Sequence, residues 1–159
     1  MSFRLAAAAA AAAIFSVPSA PGAQVLMQRD VSLRMALTIA ETAIADCGLG
    51  ASVAVVDRAG RLRVFLQGDN ANPHNIELAR RKAYTARTFG APSAAWAKRT
   101  ETANQGQRML ADVIPLGGGM PIKVGEDTIG GVGLSGGGGQ EKEEACAKGA
   151  IAKVADQLK

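Results

Sequence analysis

The sequence predicts an α+β domain in which an antiparallel sheet is flanked by helices. Two strand–turn–strand patterns, within 51–68 and 112–135, predict hairpins, and hairpins pair their strands antiparallel. Helical periodicity before, between and after them predicts the element order α-β-β-α-α-β-β-α. Because hairpins rather than right-handed crossovers connect most strands, this order argues against a doubly wound parallel sheet.

The first helix is predicted within "DVSLRMALTIAETAIADCG", residues 30–48. Asp30 or Ser32 is the candidate N-cap, and Gly48 is a typical helix end. The first hairpin follows, with strands in "ASVAVVD" and "RLRVFLQG" joined by a type I turn over Asp57–Gly60. The apolar residues with helical spacing in the first helix are Leu33, Ala36, Leu37, Ala40, Ile44 and Cys47.

A second helix is predicted in "IELARRKAYTARTFG", after a polar loop that ends at the candidate N-cap Asn75. A broken helical stretch runs from Ser93 to about Leu110. The predicted inward residues of the second helix are Ile76, Ala79, Ala83, Ala86 and Phe89.

The second hairpin combines an edge strand in "DVIPLGGGMPIKV" with the strand "TIGGVGLS". The first of these is an edge strand because Pro115 and Pro121 cannot donate to a ladder. A last helix is predicted from about Gln140 to Gln157. Its predicted inward residues are Ala147, Ile151, Val154 and Leu158.

Residues 1–23 have the layout of a secretory signal peptide. Arg4 forms a positive start, Leu5–Val17 is an apolar core too short to span a bilayer, and "PSAPGAQ" is a small-residue exit. We expect cleavage between Ala20 and Val25, one domain over 24–159, and a periplasmic or secreted protein. The rest of the sequence contains no apolar run long enough for a membrane helix.

The charge distribution bears on the partner. The net charge of +4 is too small, and the aromatic content of 4% too low, to favour nucleic-acid binding. Between Asn75 and Arg108, however, the sequence has seven basic residues and only two glutamates. This segment predicts either a site for an anionic ligand, such as a carboxylate or propionate, or a solvated helix face.

The segment "GLSGGGGQEKEE" places a glycine loop before a helix. Such a loop can hold a phosphate, but Glu141, Glu143 and Glu144 already occupy the positive helix end, and no GK[ST] follows. The remaining explanations are a sharp turn, or close approach of a flat ligand or of neighbouring backbone.

Few other side chains offer ligand chemistry. The single histidine, His74, is either an axial ligand of a haem iron or an ordinary surface residue. Met109 and Met120 are soft ligands or core filler. Cys47 and Cys146 would form a disulfide if the two terminal helices packed side by side, but we predict free thiols.

These motifs together resemble the GlcG/HbpS family, a haem-binding or haem-degrading domain that also forms the C-terminal part of some PduO-type corrinoid adenosyltransferases. The resemblance spans nearly all of the chain after the signal segment. The matching motifs are "VAVVDRAGRLRVF" (53–65), "ARRKAYTARTFG" (79–90), "GGGMPI" (117–122), "TIGGVGLSGG" (128–137) and "EEACAKG" (143–149).

The resemblance implies a profilin-like α+β fold, assembly into homo-oligomers, and binding of haem or a related tetrapyrrole, with redox or iron sensing in some members. Glu143 stands where an aspartate is frequent, and cysteine is common at Cys146, which weakens the disulfide interpretation. Lys82, Ala83 and Thr85 match a "KA-x-T" element, while Gly117–Gly119 and Ser135–Gly137 match the family's glycine motifs.

The leading hypothesis is an exported haem-binding protein, with weak haem degradation or redox and iron sensing as further roles. The alternative is an enzyme acting on a small organic acid, such as a glycolate-pathway metabolite. In that case Arg80, Arg81 or Arg87 would clamp the carboxylate, and Glu143 or Glu144 would be the base. A third hypothesis is an oligomeric partner of a membrane sensor. The predicted haem-binding residues are His74, Arg80, Arg81, Lys82, Thr85, Gly118, Gly119 and Met120, and the predicted iron ligands are His74, Glu143 and Glu144.

Overall fold

The computed structural model describes residues 25–159. The predicted signal peptide, residues 1–23, lies outside the described residues. The fold is α+β, with one four-stranded antiparallel sheet in the order β2-β1-β4-β3, so the predicted class and element order are confirmed. The elements are α1 Leu33–Cys47, β1 Ser52–Val56, β2 Leu62–Gln67, α2 Asn75–Phe89, α3 Ser93–Thr102, a 3₁₀ helix Gln105–Met109, β3 Gly119–Val124, β4 Asp127–Ser135, α4 Gln140–Ala152 and a 3₁₀ helix Ala155–Gln157.

Local chemistry sets the ends of the elements. The Ser32 hydroxyl accepts a hydrogen bond from the Met35 N–H at 3.2 Å, as an N-cap does, and the Gly48 N–H closes α1 on the Ile44 carbonyl. The first hairpin turns where the sequence predicts, because the Gly60 N–H donates to the Asp57 carbonyl at 2.9 Å. The confirmed edge strand β3 carries Pro121.

The sheet divides the core into two layers. Along β1, Val53 and Val55 pack in the cluster built from α1 and α4, whereas Ala54 and Val56 pack against Ala79 and Ala83 of α2. This alternation follows from the two-residue period of a strand. Helices α1 and α4 therefore cover one face of the sheet, and α2 covers the other.

The inward faces of two helices differ from the predicted ones. Leu33 and Leu37 are 54% and 37% exposed, and Ile76 at the start of α2 is also exposed. Small residues let a helix pack closely on its neighbours, so the alanines of α1 turn inward and these leucines turn outward. The buried residues of α1 are Met35, Ala36, Ile39, Ala40, Ala43 and Cys47.

The prediction of free thiols is wrong. Cys47 and Cys146 form a disulfide between α1 and α4, with Cα atoms 5.9 Å apart. The physical reason is tertiary: both helices lie on the same face of the sheet and pack side by side, which brings the end of α1 beside the first turns of α4.

Candidate functional site

A buried ion pair joins the two helical layers beside the end of β4. The Lys82 ammonium lies 2.7 Å from a carboxylate oxygen of Glu143, and these residues are 3% and 4% exposed. Lys82 also donates to the Leu134 carbonyl, and the Gly137 N–H donates to the other Glu143 oxygen at 3.1 Å. Each charge is thus paired and hydrogen-bonded, which is the condition for burying it.

The glycine motif 117–119 packs directly against this pair. A Cβ atom at Gly118 would lie 2.6 Å from the Glu143 carboxylate and 3.0 Å from the Lys82 nitrogen, and the backbone there has φ of +111°. Any side chain at this position would therefore displace the ion pair. Close approach of protein groups therefore requires glycine at position 118.

The first turn of α4 holds this glycine segment in place. The Glu144 carboxylate accepts hydrogen bonds from the N–H groups of Ala94 at 3.1 Å and Gly118 at 3.4 Å. The Gln140 side chain accepts from the Gly117 N–H. Glu143 and Glu144, which the sequence predicts as iron ligands, are thus bonded to protein donors.

Gly119 and Met120 begin the edge strand on the other side of the pair. The Gly119 N–H donates to the Ser93 hydroxyl at 2.8 Å, which fixes the start of α3 against β3. Met120 is half-buried, lies opposite Val132 of β4 and packs against the main core.

His74 lies at the surface, directly before α2. Its carbonyl accepts the Leu78 N–H, while its side chain makes no capping bond. The next residue, Asn75, is buried and accepts a hydrogen bond from the Ser135 hydroxyl at 3.0 Å, which ties this end of α2 to the end of β4. In residues 25–159, no group of three or more histidine, cysteine or acidic residues is arranged to hold a metal ion.

Arg80 lies on the outer side of α2 and bridges two carboxylates. Its guanidinium is 2.9 Å from Glu77 and 2.7 Å from Asp112. The hydrogen bond to Glu77, followed by that to Asp112, raises the pKa of Arg80 above its usual value. Part of the basic excess predicted for this segment is therefore neutralised locally.

Arg81 and Thr85 anchor the chain that returns from α3. Arg81 donates to the Val113 carbonyl, and the Thr85 hydroxyl donates to the Arg81 carbonyl while it accepts the Ile114 N–H at 2.9 Å. Together with Arg80, these side chains fix the segment around Asp112 along α2.

The structure divides the predicted site residues into two groups. Lys82, Thr85, Gly118, Gly119 and Glu143 are buried, with Glu144 and Met120 half-buried beside them, whereas His74, Arg80 and Arg81 lie towards the surface. Sequence reasoning named Lys82 and Glu143 but missed their pairing. The available signal was that Lys82 falls on the apolar stripe of α2, between Ala79 and Ala86.

Comparison with known proteins identifies the family of this chain. The family described as "Haem degrading protein HbpS-like" matches residues 27–152. The chain belongs to this family. No curated protein matches the chain.

Solved HbpS structures share the fold across most of this chain. A double mutant of HbpS from Streptomyces reticuli is 30% identical with a TM-score of 0.80, and covers 87% of this chain and 97% of its own. A further HbpS crystal structure is 32% identical with a TM-score of 0.78, over 86% and 97%.

A more distant relative was solved with haem. The PduOC:haem complex is 24% identical with a TM-score of 0.68, and covers 76% of this chain and 92% of its own. At that identity the likeness to this HbpS-like chain is one of fold.

Proposed function

We propose that this protein binds haem or a related tetrapyrrole. The observation that carries the proposal is family membership over residues 27–152, together with at least 30% identity to HbpS structures that the chain covers almost completely. The haem complex of a distant relative with the same fold supports it further. The bound group would supply redox-active iron, and the chain would supply an axial ligand, cations and apolar surface.

The surface at the start of α2 fits these requirements. His74 presents an imidazole that makes no capping bond, and the exposed side chain of Ile76 follows it. Arg80 lies one turn further along α2 and forms an ion pair with Asp112. This ion pair keeps the preceding segment, with its exposed Met109 and Leu110 side chains, near the same surface. Arg80 and Arg81 would bind the propionates by giving up part of their present hydrogen bonds within the protein, and His74 would ligate the iron.

The interior residues fit a supporting role better. Gly118 and Gly119 are buried, and the space beside Gly118 is filled by Lys82 and Glu143, so a tetrapyrrole would reach this backbone only if the ion pair moved. Their contact with ligand, and that of Lys82, Thr85 and Met120, stays a prediction. Iron binding by Glu143 and Glu144 would similarly require that they release their present partners.

Titration with hemin tests the proposal. The purified protein should develop a Soret band that saturates, and His74→Ala should shift or weaken it. Asp69→Ala, an exposed substitution in the same loop, is the matched control and should leave the band unchanged. An unchanged spectrum in His74→Ala would remove His74 from the site, and absence of a saturable band in the wild type would refute haem binding itself.

The same spectra distinguish the finer roles. After addition of a reductant, a stable Soret band indicates a carrier or sensor, whereas progressive bleaching indicates haem degradation. We propose weak degradation or redox and iron sensing as such roles, with a membrane sensor as a candidate partner.

Export to the periplasm or beyond the cell is part of the proposal. The disulfide supports it, because disulfides persist in oxidising compartments and are rare in the cytosol. In the described part of the chain, none of the helices is long and apolar enough to cross a membrane. Detection of the processed chain in a periplasmic or culture-supernatant fraction, starting between Ala20 and Val25, would test this.

An enzyme that acts on a small organic acid is the second candidate. It requires the basic helix to adjoin the acidic start of α4, and the 2.7 Å contact between Lys82 and Glu143 meets that requirement. However, Arg81 and Arg87 donate to backbone carbonyls, and Arg80 is held by two carboxylates. Thermal stabilisation by glycolate that is lost in Arg81→Gln would favour this candidate.

A further inference from the structure

The outer face of α1 carries a surface that nothing in the described chain covers. Leu33 and Leu37 are exposed, whereas six other apolar residues of α1 are buried, namely Met35, Ala36, Ile39, Ala40, Ala43 and Cys47. Together with Arg34, Thr38 and Glu41 they line a depression along the helix. Exposed leucines with helical spacing on an otherwise well-packed helix indicate a contact surface.

The two charges on this face cannot satisfy each other within one chain. Arg34 and Glu41 are seven residues apart, which is two turns or about 10 Å along the axis, and they lie on nearly the same side of the helix. Among residues 25–159, neither forms an ion pair. Thr38, midway between them, donates to the Arg34 carbonyl at 3.1 Å and so needs no outside partner.

We propose that α1 docks antiparallel against α1 of a second copy of this chain, about a two-fold axis near Leu37 and Thr38. That operation places Arg34 opposite the partner's Glu41, and Glu41 opposite the partner's Arg34. It also brings Leu37 against the partner's Leu37 at the centre of the contact, with Leu33 on the same edge towards its end. A parallel arrangement would instead set Arg34 beside Arg34, so the charge order selects the antiparallel contact.

Charge reversal tests this contact because its symmetry makes specific demands. Arg34→Glu alone and Glu41→Arg alone each create two like-charge contacts per dimer. Each should lower the assembled mass in sedimentation, or raise the dissociation constant at least about tenfold. The double variant Arg34→Glu/Glu41→Arg should restore wild-type association.

Mixing provides a sharper version of the test. The two single variants are complementary to each other, so an equimolar mixture should form mixed assemblies in native mass spectrometry, although each alone dissociates. Lys148→Glu, an exposed reversal on α4, is the control and should associate like the wild type. Far-UV circular dichroism checks that all variants fold.

Three results would overturn the proposal: a monomeric wild type, single variants that associate like the wild type, or variants that neither recover in the double substitution nor pair when mixed. The contact is independent of haem, so the hemin titration can succeed or fail without affecting it.

Discussion

Lys82 on α2 and Glu143 on α4 pair across the end of β4, with charged atoms 2.7 Å apart and both residues almost fully buried. They connect helices that lie on opposite faces of the sheet. Because each charge is compensated by the other, loss of either partner would leave an uncompensated charge in the interior between the two layers.

Removal of one partner should be far more damaging than removal of both. Lys82→Met leaves a buried carboxylate without its cation and should lower the free energy of unfolding by about 3–5 kcal/mol. The double variant Lys82→Met/Glu143→Leu should recover most of that loss. Chemical denaturation of the wild type, both single variants and the double variant measures the coupling. If the two losses simply add, the ion pair does not have this role.

Loss of the disulfide should lower stability without changing the fold. The bond closes a loop with a sequence separation of 99, and removal of such a cross-link costs roughly 2–5 kcal/mol. The variant Cys47→Ser/Cys146→Ser should therefore melt at a lower temperature with an unchanged circular dichroism spectrum. Thiol titration of the denatured wild type should detect no free cysteine until a reductant is added. Two reactive thiols before reduction would contradict the disulfide.

Gly133 should not tolerate even a methyl group. A Cβ there would overlap the Ala79 carbonyl oxygen, because α2 lies directly on β4 at this position. Gly133→Ala should thus cost about 1–3 kcal/mol through overpacking. Gly106→Ala is the control, since a Cβ at Gly106 meets nothing within 4 Å. Equal melting temperatures for the two variants would show that α2 packs less closely than this.

Arg80 should affect ligand binding more than stability. Its ion pairs are partly exposed and are each worth about 0–1 kcal/mol. If Arg80 meets a propionate, Arg80→Gln should weaken hemin binding, and Asp112→Asn should strengthen it by releasing the guanidinium. Hemin titration of both variants measures this. Affinities that do not change, or that change in the same direction, would exclude Arg80 from the site.

The elements of the fold were predictable because their signals are local. The turn at Asp57–Gly60, the N-cap at Ser32 and the edge-strand proline Pro121 each depend on a few neighbouring residues. The order of these elements was enough for the α+β class.

The contacts between distant elements were not predictable in this way. The disulfide depends on α1 and α4 lying on one face of the sheet, and the Lys82–Glu143 pair joins residues 61 positions apart. The outward orientation of Leu33 and Leu37 depends on which stripe of α1 meets the core, and both stripes have helical spacing. For the candidate site, the sequence supplied residue types, but only the fold separates the interior group from the surface group.

The disulfide also decides how the molecule would respond to mechanical force. All four strands, α2 and α3 lie between Cys47 and Cys146, so tension applied at the two ends of the chain would pass through the sulfur–sulfur bond and bypass the sheet. Only the segments before Cys47 and after Cys146 would extend. After reduction the same pull would load the strands directly, and the extensible length would grow by the whole of the enclosed loop.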